Sequence, residues 1–168
     1  MRNAGLKSLL AVALTVAAGT AGAATTTTTF NVTATVASNC RFSSAGNVAF
    51  GTYDPLSGTA LDQTSTIVYN CTKNTPYTLA LSTGTGTGAT FAVRKMTNGV
   101  NTLNYSLYTD AARTTVWGDG TGGTSTLAAP ASAGLLSNLT VTVYGRIPTA
   151  QDVASVAYTD TITATLTF

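Results

Sequence analysis

At 168 residues, the chain has room for one domain and a short leader. It contains no His and no Glu, its six acidic residues are all Asp, and about a fifth of it is Thr. General acid–base work would therefore fall to Asp, Lys or Tyr, and abundant Thr suits strands better than long helices.

Residues 1–23 read as a cleaved secretory signal peptide. Arg2 and Lys7 supply a positive start, Leu9 to Ala18 an apolar stretch, and Ala21-Gly-Ala23 a small-residue cleavage site. The apolar stretch is too short and too Ala-rich for a membrane span. Cleavage after Ala23 is preferred, with Ala21 as the alternative. Two of the eight basic residues lie in the leader, so six remain against six Asp and the mature chain is near neutral. A basic surface for nucleic acid or anionic lipid has no support.

In the following segment, 24–39, Phe30, Val32, Ala34 and Val36 alternate with Asn31, Thr33 and Thr35. This is the period of a half-buried strand, yet no turn follows at once to give it a hairpin partner. On alternation alone, docking on its own domain and docking on another copy are equally open.

Cys40 and Cys71 are the only cysteines, and in an exported chain they are expected to pair. Pairing closes a loop of about 30 residues, worth about 3.5–4 kcal/mol in the chain-entropy model. With no His and no third thiol, a metal site is not expected.

Further strands are predicted at Val48-Ala-Phe50, Thr64 to Cys71, Tyr77 to Leu81, and Thr90 to Met96 with Phe91 and Val93 inward. Leu103, Tyr105 and Leu107 share a face in the next. Leu139, Val141 and Val143 alternate with polar residues, as do Ile162, Ala164, Leu166 and Phe168 in the last. Short strands at this spacing predict an all-β antiparallel sandwich over 40–168, with no helix beyond a turn or two. The Gly-Thr stretches at 84–88 and 118–126 read as loops, since neither has a P-loop ending or a helix after it.

Asp110 and Asp119 flank Trp117, an arrangement that would suit a carboxylate pair beside a sugar-stacking ring. The simpler reading is preferred: both cap turns while Trp117 covers one end of the core. Asp54 and Asp62 are likewise read as turn residues. No catalytic residue, metal ligand or small-molecule cofactor site is expected, and the chain is read as a non-enzyme.

The run Leu103-Asn-Tyr-Ser-Leu-Tyr-Thr-Asp110, followed by Thr115-Val-Trp-Gly-Asp-Gly120, resembles the spore coat protein U domain family. The ending Val143-Tyr-Gly-Arg-Ile-Pro148 with Tyr158 to Phe168, and the placement of Cys40 and Cys71, fit the same resemblance. That family includes the subunits of archaic, Csu-type chaperone–usher pili, and the chain looks like a major pilin of that type.

The resemblance implies an incomplete immunoglobulin-like fold, held open by a periplasmic chaperone and completed at an outer-membrane usher by a strand of the next copy. Carried onto this sequence, the donor strand is Thr27–Ala37, with Phe30, Val32, Ala34 and Val36 as inward plugs. The acceptor groove is lined by Ile162, Ala164, Leu166 and Phe168 and by the first strand after Cys40. The function implied is a surface pilus serving adhesion and biofilm formation. A self-complemented coat or matrix protein and a carbohydrate-binding adhesin are the alternatives.

Overall fold

The computed structural model describes residues 22–129, 134 and 138–168. Most of the signal peptide expected at 1–23 therefore lies outside the described residues. The chain divides into two units, one running to Thr35 and the other from Val36 to Phe168. In the first, residues 22–35 carry no regular secondary structure. Phe30 and Val32 are 84% and 86% exposed, and Val36, opening the second unit, is 85% exposed.

The second unit is all-β, with no helix among the described residues. Its strands are β1 (Cys40–Ala45), β2 (Leu61–Cys71), β3 (Tyr77–Leu81), β4 (Arg94–Asn98), β5 (Asn101–Tyr108), β6 (Leu127–Ala129), β7 (Leu139–Ile147) and β8 (Ala164–Thr167). A five-stranded sheet runs β1-β2-β7-β5-β4 and a three-stranded sheet β6-β3-β8. Every strand pair in them is antiparallel.

Alternation places the core. Ile67, Tyr69 and Cys71 of β2, Leu103, Tyr105 and Leu107 of β5, and Val143 and Ile147 of β7 are buried, as are Tyr77, Leu79 and Leu81 of β3. Each set is spaced by two, or by four in β7 where buried Gly145 lies between, so one face of each strand turns inward. Cys40 lies directly opposite Cys71 and the two form a disulfide, tying β1 to β2 at the end of their ladder.

Trp117 is fully buried and its Nε1–H donates to the Leu79 carbonyl at 3.0 Å. The Asp110 and Asp119 carboxylates accept from the backbones of Thr114 and Thr115 and of Thr121, respectively. Both therefore cap turns, and Asp54 does so too, accepting from Leu56 N. Asp62 departs from the turn reading. It sits in β2 opposite Arg146 of β7, accepts a two-pronged contact from that guanidinium at 2.7 and 2.8 Å, and meets Arg113 at 3.2 Å. The Arg146 hydrogen bond holds its carboxyl below the usual carboxylate range.

Two strand predictions shift. Thr90 to Met96 becomes β4 at Arg94–Asn98, because Thr90 and Val93 close a tight turn on each other. Val93 is 43% exposed rather than inward, and Arg94 takes the buried position. The Arg94 guanidinium donates to the carbonyls of Ser82, Phe91 and Trp117 at 2.9, 3.0 and 2.6 Å. Val48-Ala-Phe50 forms no strand, although Phe50 is buried; a strand needs a neighbour for its backbone groups, and among the described residues none pairs with this stretch.

Tyr69 and Tyr105 are buried at 1% and 4% exposure. Burial pushes both phenols above their ordinary value of 10, helped by hydrogen bonds to Tyr77 and Asp160. The folded state thus favours the neutral form, so this contribution is complete below about pH 10 and is lost as pH rises toward the folded pKa values. Alkaline titration is expected to unfold the domain cooperatively, with tyrosinate absorbance rising as the circular dichroism signal collapses. Tyr105→Phe should move that transition to higher pH. Full ionisation of every tyrosine near pH 10 with the fold intact would contradict this.

Candidate functional site

The stretch after β1 leaves β2 and passes over β7. Its last contact with the ladder is Gly46 N donating to Thr66 O at 2.9 Å. Val48 and Phe50 then lie over Gly145 of β7, where a Cβ would come within 2.9 and 2.8 Å of their side chains. Glycine is required there because the approach is so close. Phe50 also meets Tyr105 edge-on, with centroids 6.1 Å apart.

Opposite this stretch runs β8 with the residues before it. Between them a cavity of about 450 Å³ opens, lined by Ala45 to Val48 and Phe50, and by Tyr158, Thr159, Asp160, Ile162 and Ala164. Its floor is the sandwich core itself, Ile67, Leu81, Tyr105, Leu107 and Val143. A second cavity of about 520 Å³ continues between Val48–Pro55 and Val153–Tyr158, over Leu103 and Ile147. Val48, Phe50, Met96 and Tyr158 line both, so the two are one groove.

The groove edges are as informative as its lining. The Thr163 carbonyl accepts from Ser82 N at 2.9 Å, so odd-numbered residues there point their backbone groups toward β3. By strand geometry, Ile162, Ala164 and Leu166 turn theirs to the open side while their side chains face the core. On the other wall, no backbone hydrogen bond reaches Asn47 to Thr52 among the described residues. An apolar floor between two edges with unpaired donors and acceptors is the shape of a missing strand.

Asp160 fixes the C-terminal wall. Its Oδ1 accepts from Thr85 N and Oγ1 at 2.7 and 2.8 Å, and its Oδ2 accepts from Tyr105 Oη at 2.6 Å. Gly84, at φ +90°, leaves room for that carboxylate, which a Cβ would overlap. Thr97 and Thr159 exchange backbone hydrogen bonds at 2.8 and 3.2 Å, tying the same wall to β4. The groove is thus held by the folded domain rather than formed on contact.

Of the residues assigned to the groove from sequence, Ile162 and Ala164 line it. Leu166 is half-buried against the core beyond the cavities, and Phe168 is 55% exposed. From β1 itself only Ala45 contributes, and the wall is the stretch that follows it. Val48 and Phe50, the first stretch after Cys40 whose alternation predicts a strand, line the groove as well. Met96, Tyr158 and Asp160 are among the lining residues that the sequence reading did not assign.

Substituting Gly145 tests how closely the wall is packed. Gly145→Ala is expected to drive Phe50 and Val48 toward the groove and to cost about 1–3 kcal/mol, read as a lower urea midpoint. An unchanged midpoint would mean that this wall is free to move.

Among the described residues, no cluster of three or more His, Cys, Asp or Glu could hold a metal ion.

The model of the Spore Coat Protein U domain family matches residues 26–165. Protein U of Myxococcus xanthus is 37% identical over 175 residues, covering 96% of this chain and 95% of its own. Among solved structures, the chaperone–tip adhesion subunit pre-assembly complex CsuC–CsuE, from the archaic chaperone–usher Csu pili of Acinetobacter baumannii, matches with a TM-score of 0.56. The identity is 22%, and the match covers 80% of this chain and 40% of the neighbour's. That likeness places the sandwich among immunoglobulin-like folds, here with the groove of an absent strand.

Proposed function

The chain belongs to the Spore Coat Protein U domain family, and from that premise we propose that it is a structural subunit of a bacterial surface fibre assembled by strand donation between copies. The observation that carries this reading is the groove, an apolar slot with unpaired edges on both sides. The donor is Thr27–Ala37 of another copy. It is as long in residues as the Ala45–Pro55 wall, and its apolar side chains stand exposed.

Phe30, Val32, Ala34 and Val36 enter the groove, while the backbone of the same strand pairs with the edges. A contact repeated head to tail does not close on itself, so it builds a filament. An open groove of this kind aggregates unless covered, which calls for a periplasmic chaperone before assembly and an outer-membrane usher to exchange it. The product lies on the cell surface, where a fibre serves adhesion and biofilm formation. The role is non-enzymatic.

The match to the Spore Coat Protein U domain family supports a second reading, a coat protein, in which the chain's own N-terminal segment would close its own groove. Light scattering on the purified mature chain separates the two. A fibre subunit grows in mass with concentration and time, and gives filaments by electron microscopy. A chain that stays monomeric at every concentration, with Phe30 protected from solvent, overturns the fibre reading and supports the coat protein.

A further inference from the structure

Met96 is the only methionine outside the leader read at 1–23. It lies in β4 opposite Leu103 and is half-buried against the core. It also lines both halves of the groove, beside Phe50 and Tyr158. Its half-buried side chain therefore borders the slot that a donated strand would fill.

We propose that Met96 is an oxidation site that reports and controls occupancy of the groove, with hydrogen peroxide as the oxidant class. This rests on the reading that a strand docks in the groove, and it holds whether the strand comes from the same copy or another. The sulfur attacks a peroxide oxygen and the O–O bond breaks as an S–O bond forms. Methionine is oxidised to the sulfoxide, and the departing hydroxide takes a proton and leaves as water. The sulfoxide places a polar oxygen on an apolar floor, where a docking side chain offers it no hydrogen bond. A subunit oxidised while open then refuses its strand, whereas a filled groove protects the thioether. The geometry makes an exposed surface methionine a poor comparison, since Met96 changes access with assembly.

The test uses the mature chain and a variant lacking residues 25–37, each exposed to hydrogen peroxide and mapped by peptide mass spectrometry. A synthetic peptide of residues 25–37 is supplied as the strand. Met96 in the deletion variant is expected to gain one oxygen readily, and saturating peptide to slow this about tenfold or more. Pre-oxidised deletion variant is expected to lose peptide binding, while Met96→Leu in the same background, whatever its own starting affinity, is expected to show the same affinity before and after peroxide. Peptide binding that survives full conversion to the sulfoxide overturns the proposal and leaves strand donation standing. Failure of the peptide to bind even the unoxidised variant overturns both, strand donation first. Equal oxidation rates with and without bound peptide overturn the proposal alone.

Discussion

A chain lacking residues 25–37 is expected to fold, keep its Cys40–Cys71 disulfide and form no fibre at any concentration. The deleted residues carry no secondary structure, and Phe30 and Val32 are more than four-fifths exposed. Removing them therefore costs the folded domain little. It costs the polymer its contact. Burying Phe30, Val32 and Val36 in a groove contributes about 1.5–3 kcal/mol each as an upper estimate, with Ala34 adding less. In the proposed contact the strand would also supply partners for the open backbone edges at Ile162, Ala164 and Leu166.

Phe30→Asp is the sharper form of the same experiment. It keeps the segment's length and backbone and places one carboxylate against an apolar floor, where no paired cation awaits it. Filament yield is expected to fall by at least about a hundredfold, a loss of roughly 3 kcal/mol at each junction. The thermal midpoint of the unassembled domain should not move. Filaments of normal length from either variant would remove residues 25–37 from the assembly contact altogether. In the proposed fibre each junction would let go through strand release, so its lifetime rather than its affinity would set durability.

The sandwich was legible because its strands carry one buried face each. Ile67–Tyr69–Cys71, Leu103–Tyr105–Leu107 and Tyr77–Leu79–Leu81 are buried as their spacing of two requires. The turn-capping roles of Asp110 and Asp119 were legible for a similar reason, since short-range side chain to backbone contacts need only the local sequence. The groove was not, because its walls come from stretches that alternate but do not pair. Val48 and Phe50 look like a strand, yet a partner defines a strand and they have none among the described residues. Asp62 looked like a turn residue because nothing nearby in sequence announces Arg146, which β7 brings opposite it. Register carries that kind of contact, and alternation fixes faces without fixing register.

Arg94 is the residue least legible in the sequence, and its substitution is expected to have the largest effect on the fold. Its position in an alternating strand predicts an outward cation, but the side chain is fully buried. Three carbonyls converge there, from Ser82 after β3, Phe91 before β4 and Trp117, and a planar guanidinium can serve all three. Burial pulls its pKa down, partly countered by Tyr105 and Asp160, so the hydrogen bonds and the nearby carboxylate must hold the charge in place.

Arg94→Ala leaves those carbonyls without a donor and a cavity beside Trp117. The expected loss is about 3–5 kcal/mol, a large share of the stability of a domain this size. Arg94→Lys keeps the charge but lacks the fork, and is expected to recover less than half of the loss. Urea unfolding of the oxidised chain reads both, and a midpoint for Arg94→Ala equal to that of the parent chain would refute the clamp. The effect should reach the groove as well. Ser82 holds Arg94 through its carbonyl and the edge at Thr163 through its N–H, so loosening the clamp loosens the wall on which a donated strand would pair.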